Sequence, residues 1–307
     1  MNSLIVFQQM LVLFAMILAG YFCYKKDIIT DELQPKLSYM VVNVFNPFLV
    51  ISSITDKSVD KSMELILENI CLVIILFAVW MITGPIIVRL LRIPGEKRPL
   101  YSLMNIFSNL GFMGLPLISA IYGKGAVIYV SFYMLMYNLL LYTYGIYVAG
   151  KHSPSKKADF SWKKIMNPGF ISCLVAIIIF ALQIPVPQAA ATLVSYMGNT
   201  AVPLSMILIG VFMAKINLKE IFTNIKIYLF SLIKLVILPI LLIQILKLLP
   251  FDSTLLGIFL LLSGTPVGSI VILVADEYGI GGKEGVQGIV LTTLLSLFTL
   301  PFIALFY

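Results

Sequence analysis

Apolar residues run along this chain in blocks of about twenty, and the charged residues fall almost wholly in the short gaps between blocks. A charge-free stretch of about 20 residues is what an α-helix needs to cross a hydrocarbon core of ~30 Å. The pattern predicts ten such helices, over residues 4–24, 37–54, 69–88, 100–122, 126–149, 165–183, 189–214, 227–246, 255–275 and 285–307. The sixth and seventh are the least clearly divided, because no charge intervenes between Lys164 and Lys215 and only Gln183, Pro185, Pro187 and Gln188 mark a reversal. That run is too long for one crossing. Every Asp and Glu lies outside the ten blocks, and of the basic residues only Lys234 lies well inside one. Keeping charge out of hydrocarbon is what a bilayer demands, so the fold class that follows is all-α and integral to a membrane.

Composition excludes the soluble alternatives, since 60% of the residues are hydrophobic and 11% charged, against about 45–50% and about 25% in soluble domains. The net charge of +7 would suit nucleic acid on a soluble protein. Here the cations sit in short loops and set orientation, so no nucleic-acid partner is expected. Alternate loops carry Lys25, Lys26, Lys36, Arg89, Arg92, Lys97, Arg98, Lys151, Lys156, Lys157, Lys163, Lys164, Lys215, Lys219, Lys226 and Lys283, and the opposite loops only Lys57, Lys61, Lys124 and Lys247. This bias predicts a multi-pass protein of the cell membrane, with the richer loops in the cytoplasm and both termini outside. The first block has no basic region before it and Lys25 and Lys26 after it, so it reads as a retained helix rather than a signal peptide. Cys23, Cys71 and Cys173 fall within blocks without CxxC spacing and predict packing rather than redox or metal chemistry. His152, the single histidine, belongs to the most basic loop and predicts a solvated side chain.

The chain also repeats itself. Asn43 to Pro47 and Asn199 to Pro203 share the pattern N-x-x-x-P, the third and eighth blocks carry late prolines at Pro85 and Pro239, and the fourth and ninth carry Gly114-Leu115-Pro116 and Gly264-Thr265-Pro266. Five blocks separate each pair. Five is odd, so the two halves enter the membrane from opposite sides, as in the inverted repeats of secondary transporters. The domains expected are 1–150 and 165–307, each of five helices, joined by a cytoplasmic linker over 151–164. Proline lacks an amide hydrogen and crowds the preceding turn, so Pro116 and Pro266, flanked by Gly111, Gly114, Gly264 and Gly268, are expected to unwind the fourth and ninth helices. A packing kink explains either one alone, with Gly264 and Gly268 as a close-approach motif; two breaks at corresponding positions favour a ligand site.

At these residues the sequence resembles the auxin efflux carrier family, which includes plant auxin exporters and bacterial permeases for small carboxylates. The resemblance spans the whole chain. It rests chiefly on Asn109-Leu110-Gly111-Phe112-Met113-Gly114-Leu115-Pro116-Leu117 and the following Ala120-Ile121-Tyr122-Gly123. Gly198 to Ser205, Lys234 ahead of Pro239, and Thr265-Pro266 through Asp276-Glu277-Tyr278-Gly279 support it. It implies ten transmembrane helices as two inverted five-helix repeats, with broken helices 4 and 9 crossing at their breaks. It further implies a homodimer formed through a scaffold part, a mobile transport part, and an asparagine at the crossing, here Asn109, against the substrate carboxylate. Phe132 stands where plant members place a substrate-contacting glutamine, Val267 follows the ninth-helix proline where they have a polar residue, and their long cytoplasmic loop is absent. These departures argue against auxin itself as the substrate.

The candidate substrate site is therefore Asn109, Gly111, Gly114, Pro116, Thr265, Pro266, Gly268 and Ser269, with Asn43, Asn46, Tyr137 and Asn138 as further polar lining. Ser52, Ser53, Asn199 and Ser205 read more simply as hydrogen bonds between helices. Lys234 is the candidate charge or coupling residue, either raising the potential of an anion path or pairing with carbonyls freed near the crossing; snorkelling is the plain alternative. No enzyme motif is present, because Glu284 stands where a phosphate-binding loop over residues 279–284 would need Ser or Thr. No cofactor is implied, leaving a proton or sodium gradient, or the substrate's own, as the driving force. The function expected is secondary active transport of a small organic anion, a mono- or dicarboxylate. The alternatives are a cation/proton antiporter, which wants Asp or Glu at the midplane and has none here, and a membrane sensor or channel.

Overall fold

In the computed structural model, residues 3–55, 62–153, 165–215, 224–280 and 283–307 are described, and most of the expected linker 151–164, along with Lys57, Lys61, Lys219 and the Gly281-Gly282 pair, lies outside them. Among the described residues the regular structure is helical apart from one isolated β-bridge. The helices are α1 (Ser3–Lys25), α2 (Leu33–Ile54), α3 (Met63–Leu90), α4 (Arg98–Ile106), α5 (Leu110–Tyr122), α6 (Lys124–His152), α7 (Pro168–Ala181), α8 (Gln188–Ala214), α9 (Ile225–Leu246), α10 (Ser253–Ser263), α11 (Ile270–Glu277) and α12 (Lys283–Ala304). Seven of them, α1, α2, α3, α6, α8, α9 and α12, are long and apolar enough to cross a membrane, and α5, α7 and α10 are shorter apolar helices. Each apolar block of the sequence coincides with one helix or with a consecutive pair, and helix starts follow local capping chemistry. The side chains of Ser62, Asn167 and Asp252 accept from the amides of Leu65, Phe170 and Leu255 at the starts of α3, α7 and α10.

Prolines act differently from the expectation. Among the described residues four turns widen to take an extra residue, Val41–Phe45, Leu110–Gly114, Leu141–Gly145 and Ile233–Ile237, and all but Leu141–Gly145 end two residues before a proline: Pro47, Pro116 and Pro239. The wide turn makes room for the ring without ending the helix. Pro116 therefore sits inside α5 and unwinds nothing, a correction to the sequence reading. It has no amide hydrogen to return to the turn before it, and the Gly111 carbonyl receives Asn46 Nδ2 instead (3.2 Å). The actual breaks lie at residues 107–109, between α4 and α5, and 264–269, between α10 and α11. Gly114-Leu115-Pro116 and Gly264-Thr265-Pro266 are thus not equivalent in space: the first lies beyond its break and the second within its own.

Two close approaches organise the packing. Helices α1 and α8 meet backbone to backbone at Gly20 and Gly210, the small-residue contact favoured where lipid cannot drive association. Gly198 of α8 lies directly on the Leu49 backbone of α2, so the two N-x-x-x-P helices touch each other. Polar contacts join the loops in two separate groups. In one, Lys215 reaches Asp31 (2.7 Å) and Gln34 (2.8 Å), Lys226 donates to the Arg92 carbonyl (2.9 Å), and Lys97 pairs with Glu284, which raises the pKa of Lys97 through that hydrogen bond. In the other, the Asp252 amide donates to Glu68 (2.8 Å), Lys247 to the Phe306 carbonyl (2.9 Å) and Lys124 to Ser195 (3.1 Å).

Candidate functional site

Between α4 and α5 three residues, Phe107 to Asn109, leave the helix, and the chain meets the break between α10 and α11 there as an antiparallel bridge from Ser108 to Val267. The Asn109 amide donates to the Pro266 carbonyl (2.7 Å), and the Gly268 amide to the Phe107 carbonyl (2.8 Å). Backbone groups orphaned by two broken helices thus satisfy one another, as they must where water is scarce. Thr292 of α12 braces the crossing, accepting from the Val267 amide (3.0 Å) and donating to the Gly288 carbonyl (2.7 Å). Gly268 suits this approach, because a Cβ there would lie a tight 3.1 Å from both the Phe107 and Ser108 carbonyl oxygens and 3.2 Å from the Tyr137 hydroxyl.

Asn109 caps the start of α5. Its Oδ1 accepts from the Phe112 amide (3.1 Å) and its carbonyl from the Gly114 amide (3.0 Å). Its Nδ2 has no partner among the described residues, although the residue is only 9% exposed. The amides of Gly111, Ser269 and Ile270, at the starts of α5 and α11, are likewise unpaired among the described residues. The crossing therefore presents donors.

On the other side of the break, Lys234 of α9 is 0% exposed, so it does not snorkel. Its Nζ donates to the Asn105 carbonyl (2.7 Å) and to Ser108 Oγ (2.8 Å), and it lies 4.8 Å from the centre of the Trp80 ring. The ammonium thus compensates the negative, carbonyl end of α4 just where that helix stops. Asn105 is held in turn by Nδ2 bonds to the Trp80 carbonyl (2.8 Å) and Thr83 (3.1 Å).

A family model described as membrane transport protein matches residues 5–160 and again 155–304. The chain belongs to that family, the auxin efflux carrier type of membrane transport protein. It is also 22% identical over 301 residues to an uncharacterized transporter of Methanothermobacter thermautotrophicus, covering 96% of each chain. This transporter is accordingly a multi-pass membrane protein.

Apart from Pro116, inside α5, the expected site residues divide into four groups in this transporter. Asn109, Thr265, Pro266, Gly268 and Ser269 lie in the breaks themselves, while Gly111 and Gly114 lie in the wide turn that opens α5, with Gly114 against Leu262 of α10. Thr265 bonds to the Leu262 carbonyl of its own helix end (2.6 Å). Asn46 reaches the site through the Gly111 carbonyl, and Tyr137 through Gly268 and an edge contact to Phe107 (5.5 Å between ring centres). Asn43 and Asn138 are spent elsewhere: the first donates to the Tyr39 carbonyl on its own helix, and the second bonds to Met134 and receives Asn167 at the start of α7. Phe107, Ser108, Trp80 and Thr292 were not anticipated. Ser108, a polar residue beside Asn109 in an apolar block, was the one sequence signal that pointed to them. Gly268→Ala is expected to push the two breaks apart and cost about 1–3 kcal/mol, read as a lower Tm of the purified protein together with reduced uptake; an unchanged Tm and uptake would refute the close approach.

Proposed function

We propose that this transporter is a secondary carrier of a small organic anion, a mono- or dicarboxylate, with one site at the crossing exposed alternately to the two sides. The observation that carries the reading is the set of unpaired donors there: the amides of Gly111, Ser269 and Ile270 and Asn109 Nδ2. Helices α5 and α11 both begin at the crossing, so the positive ends of their dipoles meet where a carboxylate would sit. In this reading α4 with α5, α7, and α10 with α11 complete the seven long helices to ten crossings, arranged as two inverted halves, and rocking one group of helices against the other moves the shared site between openings. The two groups of loop contacts support this orientation, because the first joins only loops rich in Lys and Arg and the second only the poor ones; the richer side is the cytoplasm, the membrane that of the cell, and both termini are outside. A homodimer and a proton or sodium coupling ion belong to the same proposal.

The test is binding by purified protein, followed as a rise in Tm across mono- and dicarboxylates with and without sodium. Asn109→Ala should weaken the binding found by roughly 1–3 kcal/mol, about 5- to 150-fold, while leaving the protein monodisperse. Unchanged affinity would place the site elsewhere. Saturable flux with counterflow in vesicles distinguishes the carrier from a channel, and binding without flux would make it a sensor.

A further inference from the structure

Away from the crossing, an open pocket of about 210 Å³ lies between α4 and the end of α6. Its charged and polar lining is Arg98 and Ser102 from α4 and Tyr144, Tyr147, Lys151 and His152 from α6, with no carboxylate among the lining residues. The cations are only partly engaged. Arg98 gives its Nε to the Ile93 carbonyl (3.2 Å) and keeps its terminal N–H groups, Lys151 stands 5.9 Å from the centre of the Tyr147 ring, and His152 uses Nδ1 on the Val148 carbonyl (2.9 Å). Ser102 and the hydroxyls of Tyr144 and Tyr147 take no partner among the described residues.

The pocket also points inward. Ser102 lies one turn deeper than Arg98 on the helix that ends at Ile106, and Tyr144 lies two turns, about 10 Å, along α6 from Tyr137, which touches the crossing. Phe107, in the break after α4, lies against both Tyr137 and Gly145 of α6. The ring of Phe107 is fully buried, edge-on to Tyr137, and packed so tightly on Gly145 that a Cβ there would lie 3.0 Å from two ring carbons.

We propose that this basic pocket is a vestibule that collects the anion before it reaches the crossing, with Phe107 as the gate between them. Its ligand is a small carboxylate held by Arg98, Lys151 and the hydroxyls of Ser102 and Tyr144. The inference rests on the reading of the crossing as the anion site. A cleft lined by one sign of charge raises the local concentration of the opposite sign. An anionic phospholipid headgroup has similar chemistry, but an inward floor of hydroxyls ending on one aromatic ring suits a path better than a lipid anchorage.

The test needs no identified substrate. Ser102→Cys is made in protein whose Cys23, Cys71 and Cys173 are changed to Ala, confirmed monodisperse, and placed in phosphatidylcholine nanodiscs. It is reacted with a sulfonatoethyl and a trimethylammonioethyl methanethiosulfonate, each rate taken relative to a free thiol. The anionic reagent should win by about tenfold or more, and the ratio should fall toward one when Arg98→Gln and Lys151→Gln are added. A ratio near one in the Ser102→Cys protein, or one unmoved by neutralising Arg98 and Lys151, overturns the vestibule. So does severalfold protection of Ser102→Cys in nanodiscs containing phosphatidylglycerol, which would make the occupant a lipid headgroup. Since this readout does not involve Asn109, failure here and failure at the crossing are seen separately.

Discussion

Lys234→Met should cut uptake at least about tenfold while leaving Tm within a few degrees of the parent. The two effects separate because the stability terms nearly cancel. A lysine at mid-helix costs on the order of 2.5–3.5 kcal/mol on insertion scales, and each hydrogen bond from a charged donor returns about 1.5–3 kcal/mol. Lys234 makes two such bonds, to the Asn105 carbonyl and Ser108 Oγ, and faces Trp80. Methionine removes the cost with the gain and fills similar volume, and the Ser108 hydroxyl can turn to another acceptor. Nothing then ties α9 to the break after α4, or offsets the negative end of α4 beside a site proposed to hold an anion. Thermal unfolding of purified protein and initial uptake rates in proteoliposomes measure the two sides. Full uptake by Lys234→Met would show that this contact only fills space.

Gly210→Ala should have the opposite signature, a loss of stability of about 3 kcal/mol or more, seen as a Tm lower by roughly 5–10 °C. A Cβ at Gly210 would stand 1.9 Å from the Ile17 carbonyl oxygen and 2.7 Å from the Tyr21 nitrogen, and one at Gly20 would stand 2.0 Å from the Ile207 carbonyl oxygen. All of these are backbone atoms of a facing helix. No rotamer change relieves them, so α1 and α8 must separate along their whole contact and lose the dispersion it provides. An unchanged Tm for Gly210→Ala would mean the helices are not in backbone contact.

The helices themselves were almost entirely legible in the chain. Most ends of the seven long helices fall within a few residues of a charge, because the cost of placing Asp, Glu, Lys or Arg in hydrocarbon depends on position along one helix and hardly on what packs beside it. Family membership was legible for a similar reason, since the motif from Asn109 to Leu117 and the segment from Gly198 to Ser205 are contiguous strings. Asn109 could be singled out as an amide just ahead of the Gly-rich stretch that leads to Pro116 in an apolar block.

What the prolines do was decided by tertiary structure. Pro116 announces a disturbed helix, but whether that helix unwinds or widens depends on who takes the freed carbonyl, and the taker is Asn46, 65 residues away on another helix. The same holds for Asn138, whose amide looks available until Asn167 arrives from α7, and for Thr292, an ordinary helical threonine until the Val267 amide is brought to it. Lys234 was conspicuous by sequence, yet its partners, the Asn105 carbonyl, Ser108 and Trp80, come from α4, the break that follows it and α3. Sequence by itself determined which stretches are apolar enough to cross a membrane, because that free energy is summed residue by residue along a single helix. Tertiary structure alone decided where the helices break and which groups meet there, because a backbone group can give up its own helix's hydrogen bond only when a distant segment supplies the replacement.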